Sequence, residues 1–353
     1  MGTRSARTAG GADPLPVPEI LCPFPYRVNP RADQARAQLA EWVRRTGLVR
    51  RESAARRFDR ADFGWFVSVV HPGADRRRLE LMADWFAWLF LVDDQLDDGG
   101  AGRDREGLGH LVGSVRGVLE AADFGAGLRH DRGVPLVVSS LADLWCRTAP
   151  EASARWRRRF VRHLWDCLAA ATVWEAGNRV RGTVPDEATY IEQRRHTGAI
   201  YVCMDLIEIV EGIDVPGDLY DSAEFTAALD AACDVVCWTN DVYSLDKERA
   251  LGEVHNLAYL VQYHRGLDRE GALAEVCAAI SARTERFLAA EKELLGARPG
   301  DAASLVPYTA GMRTWIRGNL DWSRRTKRYQ DPAAGGADRP VEYVEPRLMG
   351  VAR

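Results

Sequence analysis

Residues 238–248 read Trp-Thr-Asn-Asp-Val-Tyr-Ser-Leu-Asp-Lys-Glu and carry the pattern on which the interpretation of the chain depends. Asn240, Ser244 and Glu248 recur at every fourth position, so an α-helix would present all three side chains on one face. Their amide, hydroxyl and carboxylate oxygens are ligands that suit Mg²⁺. Upstream on this face lie three apolar or soft residues, Cys233, Val236 and Cys237. One helix face therefore changes from apolar to metal-binding along its length, which is typical of a pocket with an apolar body and an ionic mouth.

Four aspartates close an apolar helix much earlier in the chain. The apolar run 85–92 leads directly into Asp-Asp-Gln-Leu-Asp-Asp at residues 93–98. Asp93 and Asp97 lie one turn apart, where like charges repel, and the negative C-terminal end of the helix adds to the cost. A divalent cation such as Mg²⁺ would reverse the sign of that energy. Whether Asp97 or Asp98 would contact the ion is open, and a solvated acidic helix end is the alternative for this cluster taken alone.

Helical periodicity dominates the rest of the chain. Apolar residues recur at helical spacing, and we find neither period-2 strand patterns nor internal repeats. The predicted helices span residues 32–49, 77–92, 155–172, 189–211, 222–247, 252–265, 269–297 and 302–329. The basic run 155–163 is predicted to be a solvated helix face. We therefore predict one all-α domain over residues 18–331, between a disordered N-terminal tail (1–17) and a mobile C-terminal tail (332–353).

Composition excludes several classes of function. The chain has 353 residues and a formal net charge of −4, whereas nucleic-acid-binding proteins carry a basic surface. No apolar run approaches the roughly 20 residues that a membrane span needs. The N-terminus lacks the apolar segment of a secretory signal. The seven cysteines are scattered without a Cys-x-x-Cys pair, which predicts reduced thiols. We therefore expect a cytoplasmic protein with no membrane span and no nucleic-acid partner.

Together, the two polar motifs resemble those of a known family. Asp-Asp-x-x-Asp at residues 93–97 and Asn-Asp-x-x-Ser-x-x-Lys-Glu at residues 240–248 are similar to the two metal motifs of bacterial class I terpene synthases. The second motif is highly specific because its spacing is fixed, and the resemblance covers nearly the whole chain. It implies a single-domain, all-α class I terpenoid synthase bundle that surrounds a deep apolar active-site cavity.

The resemblance extends to the segment that bears the diphosphate-sensing arginine of the family. Residues 190–198 read Tyr-Ile-Glu-Gln-Arg-Arg-His-Thr-Gly, and their distance from the second motif favours Arg194 over Arg195 as that arginine. Thr197 then takes the linker position and Gly198 the effector position. A helix break at Gly198 would turn a backbone carbonyl toward the cavity.

A C-terminal Arg-Tyr pair and a lysine complete the diphosphate site that the resemblance implies. Arg328 and Tyr329 are similar to the pair that hydrogen-bonds the diphosphate in the family, and Lys247 belongs to the second motif. The fork of N–H donors in arginine matches phosphate oxygens. With Arg194, these side chains would bind the diphosphate of an allylic prenyl substrate, of which farnesyl diphosphate is our first choice.

The resemblance also implies three Mg²⁺ ions between the diphosphate and the two motifs. Asp93 would hold two of them, with assistance from Asp97. Asn240, Ser244 and Glu248 would hold the third. The ions would act as Lewis acids while diphosphate leaves. The remaining carbocation would then cyclise to a terpene hydrocarbon or alcohol.

Aromatic side chains are expected to line the cavity, since their faces stabilise cations by about 0.5–2 kcal/mol. Phe90 lies one turn before Asp93. Trp315 lies thirteen residues before Arg328, where the family often has a pocket aromatic residue. Core packing is the alternative role for either ring.

Other functions share parts of this pattern. A diterpene cyclase would take geranylgeranyl diphosphate, and geranyl diphosphate is a further candidate substrate. A chain-elongating prenyltransferase of the same fold characteristically has a second aspartate-rich motif where this chain has residues 240–244. A non-catalytic helical protein that binds Mg²⁺ or a prenyl diphosphate is the alternative from another class. The frequent dimers of the family suggest a homodimer.

Overall fold

Helices form the regular structure of this protein. The structure, a computed structural model, describes residues 17–97, 105–129, 131 and 133–329, with the backbone alone for residues 96, 97 and 105–108. These ranges contain fifteen α-helices and no β-strand, which confirms the predicted all-α class. Of the predicted tails, 1–17 and 332–353, only residue 17 lies among the described residues. No helix in the described ranges combines the length and apolar composition required to cross a membrane.

The helices are numbered in chain order. Their bounds are α1 (Ala32–Thr46), α2 (Glu52–Ala61), α3 (Phe63–Val70), α4 (Arg76–Asp97), α5 (Arg105–Glu120), α6 (Leu136–Thr148), α7 (Ala154–Ala169), α8 (Ala176–Arg181), α9 (Glu187–Thr197), α10 (Ile200–Glu211), α11 (Gly217–Tyr220), α12 (Ala223–Ala250), α13 (Leu257–Arg265), α14 (Arg269–Ala297) and α15 (Ala302–Arg325). A π-helical turn, Ala170–Glu175, joins α7 to α8.

The helix that carries the second motif, α12, is the central helix of the bundle. It packs against α9, α13, α14 and α15. Its N-cap, Ser222, accepts a hydrogen bond from the backbone N–H of Phe225. Most of the buried residues of α12 are themselves apolar or small, as is typical of a helix packed among others. The polar motif therefore emerges from a helix that is fixed on several sides.

Aromatic side chains join α3, α4 and α15. Phe66 stacks on Trp322 with ring centroids 4.3 Å apart, and its centroid lies 5.8 Å from that of Trp315. Phe63 stacks on Phe90 at 4.6 Å. Aromatic pairs of this kind contribute about 0.5–1.5 kcal/mol beyond the burial of their area. These pairs fix the position of the α4 segment that ends in the aspartates.

Several helix boundaries differ from the sequence prediction. α13 begins at Leu257 and not at residue 252, because Gly252 has a φ of 74° and Asn256 caps the helix. α15 ends at Arg325, since Thr326 is extended. Apolar periodicity did not predict α2, α3, α5, α6, α8 and α11. Every residue of α3 is buried, so this helix has no polar face to give it a periodic pattern.

The basic run 155–163 is not solvated throughout. Arg159 and His163 are buried. Arg159 Nε donates to Asp205 Oδ1 at 2.8 Å, and the guanidinium also pairs with Glu208. His163 Nδ1 lies 2.7 Å from Asp205 Oδ2. The prediction was wrong for these two residues because their acidic partners lie on α10, which the local pattern does not show.

Candidate active site

A cavity of about 230 Å³ lies between α3, α4, α7, α9, α10, α12 and α15. Apolar side chains and cysteines form one part of its wall, among them Phe66, Phe86, Trp88, Phe90, Leu164, Cys167, Cys203, Val236, Cys237 and Trp315. Asp93 of α4 and Asn240 of α12 both line it, so the two motifs share one hollow. Cys233, which the sequence pattern placed on the same wall, is buried but is not a lining residue.

The C-terminal half of α12 supplies one polar side of this cavity. Asn240, Lys247 and Glu248 line it, whereas Ser244 on the same helix is 1 % exposed. Burial and the nearby charge of Asp241 raise the pKa of Glu248. An adjacent cation would favour the charged form of this carboxyl. The helix therefore positions two of the three predicted ligands in the cavity wall and the third in the packing beneath it.

Arg194 joins α9 to the second motif. Its Nε donates to Asp241 Oδ1 at 2.9 Å, and its Nη2 donates to Asn240 Oδ1 at 2.8 Å. Asp241 is fully buried and also accepts the O–H of Tyr190 at 2.7 Å. Burial opposes the charged form, but Asp241 and Tyr190 raise the pKa of Arg194 well above its ordinary value. A permanently charged guanidinium is thus held at the cavity.

The neighbouring Arg195 serves a different part of the bundle. Its Nε and Nη2 donate to the two carboxylate oxygens of Asp234 at 2.6 and 2.9 Å, and its Nη1 donates to Asp230 at 2.7 Å. Arg195 does not line the cavity, whereas Arg194 does. The structure therefore brings to the cavity the arginine that the spacing to the second motif favoured.

The aspartates at the end of α4 have different partners. Asp93 lines the cavity, and burial together with the charge of Asp94 raises the pKa of Asp93. Asp94 accepts two hydrogen bonds from Arg328, at 2.8 and 3.0 Å, and its Oδ1 lies 4.0 Å from Lys247 Nζ. Burial acts against ionisation, but Arg328 and its neighbouring cations hold the pKa of Asp94 well below its usual range. The side chain of Asp97 lies outside the described residues.

Arg328 and Tyr329 follow α15 and lie at the same polar end. The guanidinium carbon of Arg328 lies 5.1 Å from the ring centroid of Phe90, which is a cation–π arrangement. The hydroxyl of Tyr329 accepts a hydrogen bond from Asn240 Nδ2 at 2.6 Å. Each of the predicted diphosphate donors therefore lines the cavity: Arg194, Lys247, Arg328 and Tyr329.

The helical conformation is interrupted between α9 and α10 at the cavity wall, as Gly198 in that segment predicted. Ala199 has a φ of 52°, a left-handed conformation that residues with a side chain seldom adopt. A Cβ atom on Gly198 would lie 3.0 Å from the carbonyl oxygen of Arg194, so little space remains there. The Thr197 hydroxyl is buried without a hydrogen-bond partner among the described residues. The strained residue is thus Ala199, which the sequence analysis did not select.

A second polar cluster at the cavity was not predicted from the sequence; its members are Glu175, Arg179, Glu253 and His255. Glu175 ends the π-helical turn, and burial raises its pKa to about 7. Glu253 accepts a hydrogen bond from Arg179 at 2.6 Å and pairs with His255. All four side chains line the cavity. Single π-helical turns occur frequently at functional sites, but the sequence signal was only an acidic residue at the end of an apolar run.

A buried amide beside the second motif was missed as well. Asn256 Nδ2 lies 2.8 Å from the carbonyl oxygen of Asp241 and 2.9 Å from Glu248 Oε2. The same residue caps α13. In the sequence, Asn256 is recognisable only as an asparagine that could cap a helix. A capping residue ordinarily has no contact with a neighbouring helix, so this pattern does not indicate a functional role.

Comparisons with known proteins agree with this arrangement. Residues 84–286 match the model of terpene synthase family 2, C-terminal metal binding. Pristinol synthase from Streptomyces pristinaespiralis is 35 % identical over 341 residues, which cover 91 % of this chain and 88 % of that protein. A (+)-T-muurolol synthase from Roseiflexus castenholzii, described as cyclizing (2E,6E)-farnesyl diphosphate, is 32 % identical and covers 95 % of this chain and 97 % of that protein. The crystal structure of linalool/nerolidol synthase from Streptomyces clavuligerus has a TM-score of 0.77 at 29 % identity, covering 87 % of this chain and 100 % of that one.

The chain therefore belongs to terpene synthase family 2. It is an enzyme, a terpene cyclase that acts on a prenyl diphosphate, and its family is a metal-binding one. The family resemblance and the class I terpenoid synthase fold inferred from the two motifs are confirmed.

The pH dependence of stability tests whether the Glu253 carboxylate stabilises the fold through its pairing with Arg179 and His255. Burial alone would raise the pKa of Glu253, but the hydrogen bonds from His255 and the charge of Arg179 lower it to about 2, from an ordinary 4.5. A carboxyl with a lowered folded-state pKa stabilises the fold above its unfolded-state pKa and loses that effect as the pH falls. Glu253→Gln should therefore lower the free energy of unfolding at pH 7 by about 2–3 kcal/mol.

The difference in free energy of unfolding should shrink as the pH falls from 4.5 toward 2, measured by urea unfolding at several pH values. Glu151→Gln is the control, because Glu151 forms a surface ion pair with Arg77, and such pairs contribute about 0–1 kcal/mol. A Glu253→Gln difference that stayed constant with pH would contradict the assigned role of the carboxylate.

Proposed function

We propose that this enzyme is a Mg²⁺-dependent cyclase of farnesyl diphosphate, which releases diphosphate and converts the resulting carbocation to a terpene hydrocarbon or alcohol. The observation that supports it most is the composition of the cavity wall. Oxygen donors from α4 and α12 line the same cavity as the basic side chains, and apolar side chains form another part of its wall. Such a site suits a ligand with one polyanionic end and one hydrocarbon end.

The residues proposed to hold Mg²⁺ fit a hard cation. They are Asp93 and Asp97 on α4, and Asn240, Ser244 and Glu248 on α12. Asp93 and Glu248 are partly buried, and burial raises the pKa of each carboxyl, whose charged form a nearby cation would favour. Within the described ranges, no group of three or more His, Cys, Asp or Glu side chains could hold a metal by itself. Diphosphate oxygens are therefore expected as additional ligands. When bound, three Mg²⁺ ions would act as Lewis acids toward the leaving diphosphate.

The basic residues of the cavity are proposed to bind the diphosphate. Arg194 is held by Asp241, and Arg328 is held by Asp94 in a two-point interaction. These carboxylates keep both guanidinium groups charged and oriented before substrate binds. Oriented charge lowers the reorganisation that stabilising a departing anion requires. The proposed set of donors is Arg194, Lys247, Arg328 and Tyr329.

The break between α9 and α10 is proposed to connect diphosphate binding with ionisation. The backbone N–H of Gly198 donates to the carbonyl oxygen of Arg194 at 2.9 Å. The hydroxyl of Thr197, which has no hydrogen-bond partner within the described part of the chain, lies in the same segment, and Thr197 lines the cavity. A movement of Arg194 toward a diphosphate would therefore move Gly198, and it would turn a backbone carbonyl dipole toward the reacting carbon.

The interior of the cavity is proposed to protect and direct the carbocation. Trp315 lies 5.8 Å from Phe66 and 5.1 Å from Phe86, measured between ring centroids, so its ring is held in place. Phe90 is a second aromatic residue of the cavity lining. Burial raises the pKa of Cys237 to about 12, so this thiol stays neutral and is a poor nucleophile toward a cation.

Farnesyl diphosphate is the proposed substrate because the muurolol synthase relative is described as cyclizing it. Geranylgeranyl and geranyl diphosphate are the alternatives. Chain elongation is disfavoured, since Asn240 and Ser244 stand where elongating enzymes carry aspartates. We also propose a cytoplasmic location, which the seven free cysteines support. A homodimer remains a prediction from the family.

Turnover assays test the proposed reaction and its metal ligands. The enzyme with farnesyl diphosphate and Mg²⁺ should release inorganic diphosphate and form a cyclic product, detected by gas chromatography with mass spectrometry, and a chelator should stop both. Asn240→Ala and Glu248→Ala should each lower turnover at least about 100-fold, because the leaving group loses electrostatic stabilisation. Asp246→Ala is the control, since Asp246 lies on the same helix but pairs with Arg269.

Parallel incubations with geranyl and geranylgeranyl diphosphate, and with added isopentenyl diphosphate, decide between the alternatives. Elongated diphosphates would refute cyclisation, and turnover of another chain length alone would refute the proposed substrate. Wild-type turnover in Asn240→Ala or Glu248→Ala would refute the metal assignment.

Trp315 is expected to control the product and not the ionisation step. Trp315→Phe should change the ratio of products while the rate of diphosphate release stays within about tenfold of the wild-type rate, because the substitution reshapes the apolar wall alone. Trp145→Phe is the matched control, since Trp145 is buried but does not line the cavity. An unchanged product ratio in Trp315→Phe would show that the ring serves packing only.

A further inference from the structure

Asn256 occupies an unusual position between the second motif and the next helix. Its side chain is fully buried. Its Oδ1 accepts the backbone N–H groups of Ala258 at 2.9 Å and Tyr259 at 3.2 Å, so it caps α13. Its Nδ2 faces α12 instead. One side chain therefore starts α13 and also contacts the helix that carries the proposed metal ligands.

The amide nitrogen of Asn256 reaches three groups of α12. It lies 2.8 Å from the carbonyl oxygen of Asp241, 2.9 Å from Glu248 Oε2 and 3.5 Å from Ser244 Oγ. An amide has two N–H donors. One serves the backbone carbonyl, and the other serves the carboxylate with the hydroxyl at the limit of hydrogen-bond distance. Two of the three proposed ligands of the α12 metal ion therefore share one donor.

We propose that Asn256 is the positioning residue of the α12 metal site, a role that rests on the proposed function. By holding Oε2 of Glu248, it fixes the rotamer of the carboxylate and leaves Oε1 for a cation. Groups that orient metal ligands from behind commonly change metal affinity about 10- to 100-fold when they are removed. Ser244 is oriented by the same amide, so a single substitution loosens both ligands.

The segment that carries Asn256 is itself held on several sides. The backbone N–H of Leu257 donates to Asp241 Oδ2 at 2.9 Å. The hydroxyl of Tyr190 lies 3.1 Å from the carbonyl oxygen of His255. Glu253, three residues earlier, accepts a hydrogen bond from Arg179 of α8. The amide is therefore presented to Glu248 from a fixed backbone.

Other helix caps in this chain show that capping does not require such a donor. Ser222 of α12, Asp186 of α9 and Asp268 of α14 cap with a side-chain oxygen. None of these side chains can donate from an amide, and each still starts its helix. The acceptor of Asn256 thus accounts for the cap, and the Nδ2 contacts form a separate function that a shorter cap residue would lose.

The test measures metal binding without turnover. The probe is Mg²⁺ titrated at a fixed concentration of inorganic diphosphate, and the readout is the rise in melting temperature of the full chain. Asn256→Ser keeps a capping oxygen but cannot reach Glu248, so its half-saturating Mg²⁺ concentration should rise about 10- to 100-fold. Saturating Mg²⁺ should restore the full rise in melting temperature, which a purely structural defect would not permit.

Two further variants keep the proposal falsifiable. Asn256→Asp retains the size and the cap but removes both N–H donors, so it should also need more Mg²⁺, and it serves if Asn256→Ser does not fold. Asp268→Ala removes an exposed cap whose carboxylate accepts the backbone N–H of Gly271, and it should lower the melting temperature without changing the half-saturating concentration.

The outcomes separate the two proposals. No rise in the wild-type melting temperature with Mg²⁺ and inorganic diphosphate would overturn the metal–diphosphate site and the role of Asn256 with it. A wild-type rise that Asn256→Ser and Asn256→Asp reproduce at the same Mg²⁺ concentration would overturn the positioning role alone.

Discussion

Charges beside an apolar cavity have to be neutralised where they stand, because an unpaired buried charge costs several kcal/mol. The guanidinium groups satisfy this constraint within the protein, since Arg194 pairs with Asp241 and Arg328 pairs with Asp94. Burial raises the pKa of the Glu248 carboxyl, and a further positive charge beside it would favour its charged form. The cavity thus combines guanidinium groups that are already paired with carboxyls whose charged forms a cation would favour. A polyanion accompanied by divalent cations fits both conditions.

Irregular backbone borders this cavity at several points. The break at Gly198 and Ala199 and the π-helical turn Ala170–Glu175 both contribute lining residues. The segment that leads to Asn256 contributes others. A regular helix uses its own carbonyl and N–H groups internally, so only interruptions expose backbone dipoles to a ligand. The long helices therefore form the walls, and the interruptions between them supply polar groups.

Local spacing was sufficient to predict the helix that bears Asn240 and Glu248, because residues four apart on a helix share a face in any fold. It was not sufficient for contacts between distant segments. Arg328 and Asp94 are separated by 234 residues, and nothing near either one indicates the other. The burial of Arg159 was mispredicted for the same reason, since its partners lie on another helix. The cavity shape that selects a product depends on many such contacts.

A crystal structure with Mn²⁺ and inorganic diphosphate tests the central claim most directly, because anomalous scattering locates each manganese ion. We predict manganese bound to Asp93 on one side and to Asn240 and Glu248 on the other, with the diphosphate between them and within hydrogen-bond distance of Arg194. Manganese and diphosphate bound outside this cavity, with the oxygens of both motifs uncoordinated, would contradict it.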